Sequence, residues 1–488
     1  MAINYFVCKI ETSKRKGASF IPSPLGRFNM SIDNSNLPSR REFIQTTGSL
    51  AAATMLAGIP IPNVHPGGSD LIQVALVGCG GRGSGAAVNA LSTTSGPIKL
   101  VAMADAFADR LASSFDNVKA AVGDKMDVPE ERKFVGFDAY RHAMDCLKPG
   151  DVVILTTPPA FRWVHFTYAI SKRLNVFMEK PVTVDGPTSR RMLKLAGDAA
   201  VANLKVGVGL MSRHAKPLQE LHDRIQNGKL GEIVLMRGYR MHEPAGFFES
   251  LPKPEDKTHL EYQIRRFHSF LWASGGCFSD FYIHHIDHIC WMKNAWPVTA
   301  QALGGRHYRQ SPEGITYVDQ NFDTYSVEYT FADGSKFNFD GRCMTGAQGI
   351  YSSYIHGTKG FAIASRANDC GGPSAIYKGL GPSGHPIWQS TDTSNPYQNE
   401  WDTLIQAIRK DKPYSEVKRG VEASLVASMG RMAAHTGNQV SFDDMLNCEH
   451  EFAPGLDTLT SDSIAPLMPD STGRYPVPQP GLNPKREY

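Results

Sequence analysis

Three side chains at helical spacing stand out in this chain of 488 residues. Asp280, His284 and Asp287 recur at i, i+4 and i+7, which places all three on one face of a helix. Imidazole titrates near physiological pH, so His284 is suited to take the proton of a hydroxyl while hydride leaves the same carbon. Asp280 can orient that ring or bind a substrate hydroxyl, and Asp287 can do likewise or close the network. A buried structural His–Asp pair is the plainer alternative. His284 and His288, also at i and i+4, could bind zinc, but no matching Cys or acidic ligand is evident elsewhere, so no metal is expected.

The stretch from Leu71 to Asp105 supplies a second kind of chemistry. Ile72 to Val77 is a short β-branched apolar run of the type that forms a buried parallel strand. It leads into Gly78-Cys79-Gly80-Gly81-Arg82-Gly83, a G-x-G-x-x-G pattern, then a small-residue helix from Ser84 to Leu91 and a second strand from Ile98 to Ala104. In such a unit the first glycine makes the turn, the second admits a pyrophosphate and the third lets helix and strand pack closely. The helix N-terminus offers free N–H groups to phosphates. Asp105, roughly 20 residues beyond the last glycine, suits a ribose hydroxyl and repels a 2′-phosphate, which favours NAD over NADP. Lys180 precedes Pro181, which biases it towards extended geometry and aims it into a cleft. Desolvated beside a cationic nicotinamide, its pKa would fall far enough for proton exchange near neutrality.

Further elements are needed to hold these groups together. Strands at Val152–Leu155, Asn175–Met178 and Lys205–Leu210 alternate with helices at Arg162–Lys172 and Ser189–Ala200. That rhythm predicts a doubly wound parallel (Rossmann) sheet over 70–210, with ligands at the carboxyl ends of strands. There lie the glycines with Arg82, Asp105, Thr156-Thr157-Pro158, Glu179 and Lys180, all expected to face the cofactor. From 211 to 395 the texture changes to α+β with a largely antiparallel open sheet. Its strands are expected at Ile233–Tyr239, Val298–Leu303, Thr324–Phe331 and Ser335–Arg342, the last two joined by an Asp333-Gly334 turn. Helices over 396–445 and a Pro-rich coil tail over 446–488 complete the plan.

The formal net charge is +3, and residues 1–69 carry four surplus positive charges, leaving the rest at −1. No basic stripe suggests nucleic acid as a partner. The eight cysteines lack C-x-x-C pairing, so neither a disulfide framework nor a zinc ribbon follows. Ser39-Arg40-Arg41-Glu42-Phe43-Ile44 is similar to a twin-arginine export signal, and the apolar stretch behind it, Ser49 to Ile61, is too short and broken for a stable membrane span. Export by that route, to the periplasm, is the expectation, with Met30 as the expected start.

Gly78–Gly83, Thr157-Pro158-Pro159 with His165, Glu179-Lys180-Pro181, and Gly275-Gly276-Cys277-Phe278-Ser279-Asp280 followed by His284 and Asp287 resemble the glucose–fructose oxidoreductase / inositol dehydrogenase / MocA family. The resemblance runs over roughly 70–445, with Asn399 to Gly437 resembling helices that return to the first domain. It implies a dinucleotide-dependent oxidoreductase acting on a sugar, glycoside or cyclitol hydroxyl, with Lys180, His284 and Asp280 catalytic. It also implies a homodimer or homotetramer built through the open sheet. Arg213, His214, Asp287 and Trp272 are the expected substrate contacts. Two alternatives stay open: a redox-neutral glycosidase that recycles tightly bound NAD, and a non-catalytic sugar sensor.

Overall fold

The computed structural model describes residues 70–307, 310–370 and 372–488; the arginine-pair segment and its linker lie outside the described residues. Six strands form the first sheet: β1 (Ile72–Val77), β2 (Ile98–Asp105), β3 (Lys133–Val135), β4 (Val152–Leu155), β5 (Asn175–Met178) and β6 (Val206–Val208). All pair in parallel, in the order β3-β2-β1-β4-β5-β6. This is the doubly wound arrangement expected, with the chain reversing direction across the sheet between β1 and β4. β4 and β5 are buried along their whole length, as strands covered on both faces must be.

The helices of this half are α1 (Gly81–Leu91), α2 (Ala108–Val122), α3 (Ala139–Asp145), α4 (Arg162–Ser171) and α5 (Gly186–Val201). α1 begins at Gly81, three residues earlier than the small-residue pattern suggested, so the motif's last glycines are its first turn. The reason is steric. A Cβ on Gly83 would lie 2.1 Å from the Gly78 carbonyl oxygen, so only glycine lets α1 start against the strand end.

After α6 (Lys216–Gln226), the second sheet runs β14-β13-β12-β11-β7-β10-β9-β8-β15. Its strands are β7 (Ile233–His242), β8 (Thr299–Gly305), β9 (Thr324–Thr330), β10 (Lys336–Cys343), β11 (Ile350–Gly357), β12 (Gly360–Ser365), β13 (Ala375–Tyr377), β14 (Trp388–Gln389) and β15 (Val440–Ser441). Every pairing is antiparallel except β7 with β10. Strands β11 to β14 extend the sheet beyond what the sequence pattern marked.

Between β7 and β8 stand α7 (His259–Arg265), α8 (Leu271–Ser274) and α9 (Gly276–Lys293). Fifteen residues of α9 are buried, on all sides of the helix. An apolar helix of that kind must be a core element, and α9 lies between the second sheet and the returning helices. Those are α10 (Pro396–Arg409) and α11 (Val417–Thr436), followed by the short α12 (Phe442–Asn447). Trp401 of α10 is fully buried and stacks on Phe177 of β5 with ring centres 4.4 Å apart. Beyond α12 the chain is coil apart from one turn, Leu456–Thr458, but it does more than cover the surface. Its penultimate residue, Glu487, is buried against Arg431 and His435 of α11.

Candidate active site

The glycine turn at the end of β1 is shaped to receive a diphosphate. Gly78 sits at φ +98° with a Cβ position 2.6 Å from the Thr157 backbone nitrogen, so the turn requires glycine twice over. Around Gly80 and Gly81 no atom lies within 4 Å of the Cβ position, leaving an open cradle. Gly80 caps α1 without a side-chain hydrogen bond, and no acidic residue occupies the first turn, so the positive end of the helix is uncompensated. Thr156 Oγ1 donates to the Gly78 carbonyl at 2.6 Å and locks the end of β4 to the turn.

A cavity of about 880 Å³ opens from this point, lined by Gly78, Gly80, Asp105, Thr156, Thr157 and Pro158 among others. At its edge Thr157 Oγ1 lies 3.1 Å from His165 Nδ1, and burial pushes the His165 imidazole down to about 3. Asp105 is turned onto the loop itself: it accepts from the Cys79 N–H at 2.6 Å and from the Phe107 N–H at 2.9 Å. Burial, only partly offset by these hydrogen bonds, raises its pKa. The donor set and the bare glycine surface fit a dinucleotide.

Arg82 and Glu179 depart from the expected cofactor contacts. Arg82 Nε lies 2.5 Å from Glu179 Oε1 and the guanidinium rests on the Tyr397 ring, and neither Arg82 nor Glu179 lines the cavity. A buried carboxylate one residue before Lys180 needs a cation, and the first turn of α1 supplies it.

The reactive cluster does not line the cavity either. It stands at the carboxyl end of β5, where Lys180 meets α9. Lys180 Nζ donates to the Asp280 carbonyl at 2.6 Å and lies 3.7 Å from Asp280 Oδ1. The other carboxylate oxygen lies 3.1 Å from His268 Nε2. His268 Nδ1 accepts from the Phe247 N–H at 3.1 Å, so in the neutral ring the proton is on Nε2 and is donated to Asp280. Burial alone would raise the Asp280 pKa, but the Lys180 ammonium and the His268 ring hold it well below the usual carboxylate range.

His284, one turn further along α9, is buried, and burial lowers its pKa to about 4 against the opposing pull of Asp369. Its Nδ1 has no hydrogen-bond partner among the described residues. At neutral pH the ring is therefore an uncharged acceptor. An Asp280–His284 hydrogen bond, one of the two roles open to Asp280, is absent from the described contacts; Asp280 contacts Lys180 instead.

The remaining candidates are occupied elsewhere. Asp287 is fully buried and held by Arg213 through Nε at 2.9 Å and Nη2 at 2.7 Å, so both expected substrate contacts are used on each other. A helix-face argument cannot tell which aspartate meets the cleft and which meets a neighbouring arginine. His214 lies 3.1 Å from Glu416, and Trp272 is fully buried with Nε1 donating to Gln263 at 2.7 Å. His288 Nε2 lies 2.9 Å from Ser353 Oγ, and among the described residues no group of three or more potential ligands could hold a metal.

Two participants escaped the sequence reading. His268 sits in a turn between α7 and α8 with no motif around it. Asp369, in coil after β12, receives the Tyr351 hydroxyl at 2.5 Å and lies 3.3 Å from Arg240 Nη1. Burial would raise its pKa, but the Arg240 guanidinium and the Tyr351 hydroxyl hold it below the usual carboxylate range. A lone Asp in a Gly/Asn/Cys-rich coil carries no signal of that kind.

Residues 218–363 match the family model described as the GFO/IDH/MocA C-terminal domain. The match covers α6 and the second sheet from β7 to β12, with α9 and its Asp280 and His284 inside it. Inositol 2-dehydrogenase of Pseudarthrobacter chlorophenolicus is 24% identical over 203 residues, 41% of this chain and 54% of that protein. Inositol 2-dehydrogenase 1 of Mycolicibacterium vanbaalenii is 28% identical over 165 residues, 32% of this chain and 48% of that one. The chain thus spans about half the length of the curated relatives it matches. Among solved structures, aldose-aldose oxidoreductase from Caulobacter crescentus complexed with glycerol aligns with a TM-score of 0.57 at 16% identity, covering 76% of this chain and 99% of that one. Levoglucosan dehydrogenase in complex with NADH and levoglucosan gives 0.55 at 16% identity, with coverages of 76% and 99%. At such identities the likeness is one of fold: a parallel sheet followed by a second, largely antiparallel sheet.

Proposed function

We propose that this chain is an NAD-dependent oxidoreductase that moves hydride between nicotinamide and a hydroxyl-bearing carbon of a sugar, glycoside or cyclitol. The observation that carries the reading is the convergence of Lys180, Asp280 and His284 at the carboxyl end of β5, two strands from the glycine cradle. The dehydrogenases among the relatives, and the NADH complex among the solved structures, favour the same chemistry.

NAD, when bound, supplies the hydride acceptor. Gly78, Gly80, Gly81 and Gly83 with the N-terminus of α1 would hold its pyrophosphate, and Asp105 a ribose hydroxyl. The protein's own part is the proton. Neutral His284 takes it from the substrate hydroxyl, and the charge of the imidazolium that results is favoured by the Asp369 carboxylate. Lys180, pinned by the Asp280 carbonyl and carboxylate, donates a hydrogen bond to the same oxygen and stabilises charge there. His268 keeps Asp280 oriented and ionised. Export by the twin-arginine route belongs to the same proposal. So does assembly through the second sheet, where Leu303 and Val234 stand exposed.

The test is to purify the chain without added NAD, denature it and assay the released cofactor, then incubate native protein with a panel of polyols and glycosides. Oxidised product with reduced cofactor is expected. Glycoside hydrolysis without added NAD would replace this reading with the redox-neutral one. Unaltered turnover in Lys180→Ala would overturn the mechanism in either case.

A further inference from the structure

The cofactor cleft has an outer wall that no glycine motif or strand end provides. Residues 456–462 of the C-terminal tail line it together with Leu260, Glu261 and Ile264 from α7, and the Leu456–Thr458 turn packs on Pro159–Phe161 beyond β4. Leu456 is buried, whereas Asp457, Thr458, Thr460, Ser461 and Asp462 are exposed and border the cavity with carboxylates and hydroxyls.

This segment is tethered on both sides. Upstream, Arg191 forks onto Glu451, with Nη2 2.9 Å from Oε2. Arg190 Nη1 reaches the Leu446 and Cys448 carbonyls at 2.6 and 3.0 Å, and the Phe452 N–H donates to Asp185 at 2.9 Å. Downstream, Gln263 Nε2 donates to the Leu467 carbonyl at 2.6 Å, and the Tyr475 hydroxyl lies 2.9 Å from His259 Nδ1. The far end is fixed where the Glu487 carboxylate meets Arg431 at 2.8 Å and His435 at 2.7 Å in the core. A coil held at both ends in this way loses much of the freedom that a loop of its length would otherwise have.

We propose that residues 456–462 are a strap over the cofactor cleft, part of the dinucleotide-binding site, and that they retard exchange of the bound cofactor. Their hydroxyl and carboxylate groups suit the ribose hydroxyls and amine of an adenosine moiety. Opening the cleft requires the strap to move, so release becomes slow even though the glycine cradle is open. This inference rests on the reading of the site as an NAD site.

The experiment uses the full chain and NADH fluorescence. Bound NADH is chased with excess NAD⁺ in wild type and in a variant with 457–462 replaced by glycine and serine at equal length. Leu456 and both tethers remain in that variant. A second variant, Arg191→Met, cuts the upstream tether without touching the cleft. The expected result is release at least tenfold faster in the replacement variant and an intermediate rate in Arg191→Met. Slower amide hydrogen exchange at 456–462 in the NADH complex is expected as well. Release at the wild-type rate in the replacement variant, or amides at 456–462 unaffected by NADH, would overturn the strap and leave the NAD reading standing. Absence of any NAD or NADH binding by calorimetry in wild type would overturn the NAD reading, and the strap with it.

Discussion

Replacing Glu487, one residue from the end of the chain, should destabilise a structure whose active-site residues lie far away in sequence. The Glu487 side chain is 3% exposed, and its carboxylate accepts from Arg431 Nε at 2.9 Å, Arg431 Nη2 at 2.8 Å and His435 Nδ1 at 2.7 Å. Arg431 is itself fully buried, and its other nitrogens bond the Gly275 carbonyl, Ser279 and the Val184 carbonyl, so it ties α11 to α9 and to the entry of α5. Glu487→Ala leaves that guanidinium uncompensated, which costs about 3–5 kcal/mol.

The pH dependence leads to a similar figure. Burial alone would raise the Glu487 pKa, but Arg431 and His435 bring it from 4.5 down to about 2. That depression corresponds to about 3 kcal/mol. Because the folded pKa is lowered, the contribution is fully present above the unfolded value of 4.5 and is lost as pH falls towards 2.

The assay is thermal unfolding of wild type and Glu487→Gln from pH 7 to pH 3, with Glu487→Ala alongside at pH 7. Glu487→Ala should lower the midpoint by on the order of 5 °C at pH 7. The gap between wild type and Glu487→Gln should shrink to less than half by about pH 3. A gap that stays constant with pH, or an Ala variant within experimental error of wild type, would refute the reasoning.

Other outcomes follow from the site. Gly83→Ala puts a methyl 2.1 Å from the Gly78 carbonyl oxygen and 2.6 Å from Thr156 Oγ1, so α1 must shift; calorimetry should show NAD affinity down by tenfold or more, and unchanged binding would contradict the close-packing argument. His284→Asn should lower turnover by about 10²–10⁴. The acid limb of kcat/KM in wild type should lie near pH 4, because the base must be unprotonated and burial has already lowered its pKa to about 4; a limb between pH 6 and 7 that survives the substitution would exclude His284 as the base. Asp280→Asn removes the carboxylate 3.7 Å from Lys180 Nζ, and steady-state kinetics should show a larger fall in kcat than rise in KM. Asp105→Ser should relax the preference for NAD over NADP in comparative binding, although the lost hydrogen bonds to Cys79 and Phe107 should also lower the melting temperature.

Local pattern carried the half of this protein built on the parallel sheet. Short β-branched runs and glycines at fixed offsets are consequences of backbone sterics within some thirty residues, so β1, β2, β4, β5 and β6 and the tight turn at Gly78 and Gly83 were legible in the sequence, whereas the three-residue β3 was not. Helical periodicity likewise put Asp280, His284 and Asp287 on one helix, α9. What periodicity could not decide was what surrounds that helix. Buried on every side, α9 offers no amphipathic clue, and only packing assigns Asp280 to Lys180 and His268 while Arg213 claims Asp287. Arg82 and Glu179 read as cofactor ligands from their motifs and instead neutralise each other across the fold. Asp369 and the tail segment 456–462 reach the site over long sequence separations from coil without any repeat, and β7 pairs in parallel with β10 just over a hundred residues away. The chemistry of this chain was therefore visible where neighbouring residues make it, and remained hidden where distant charges are buried together and must find one another.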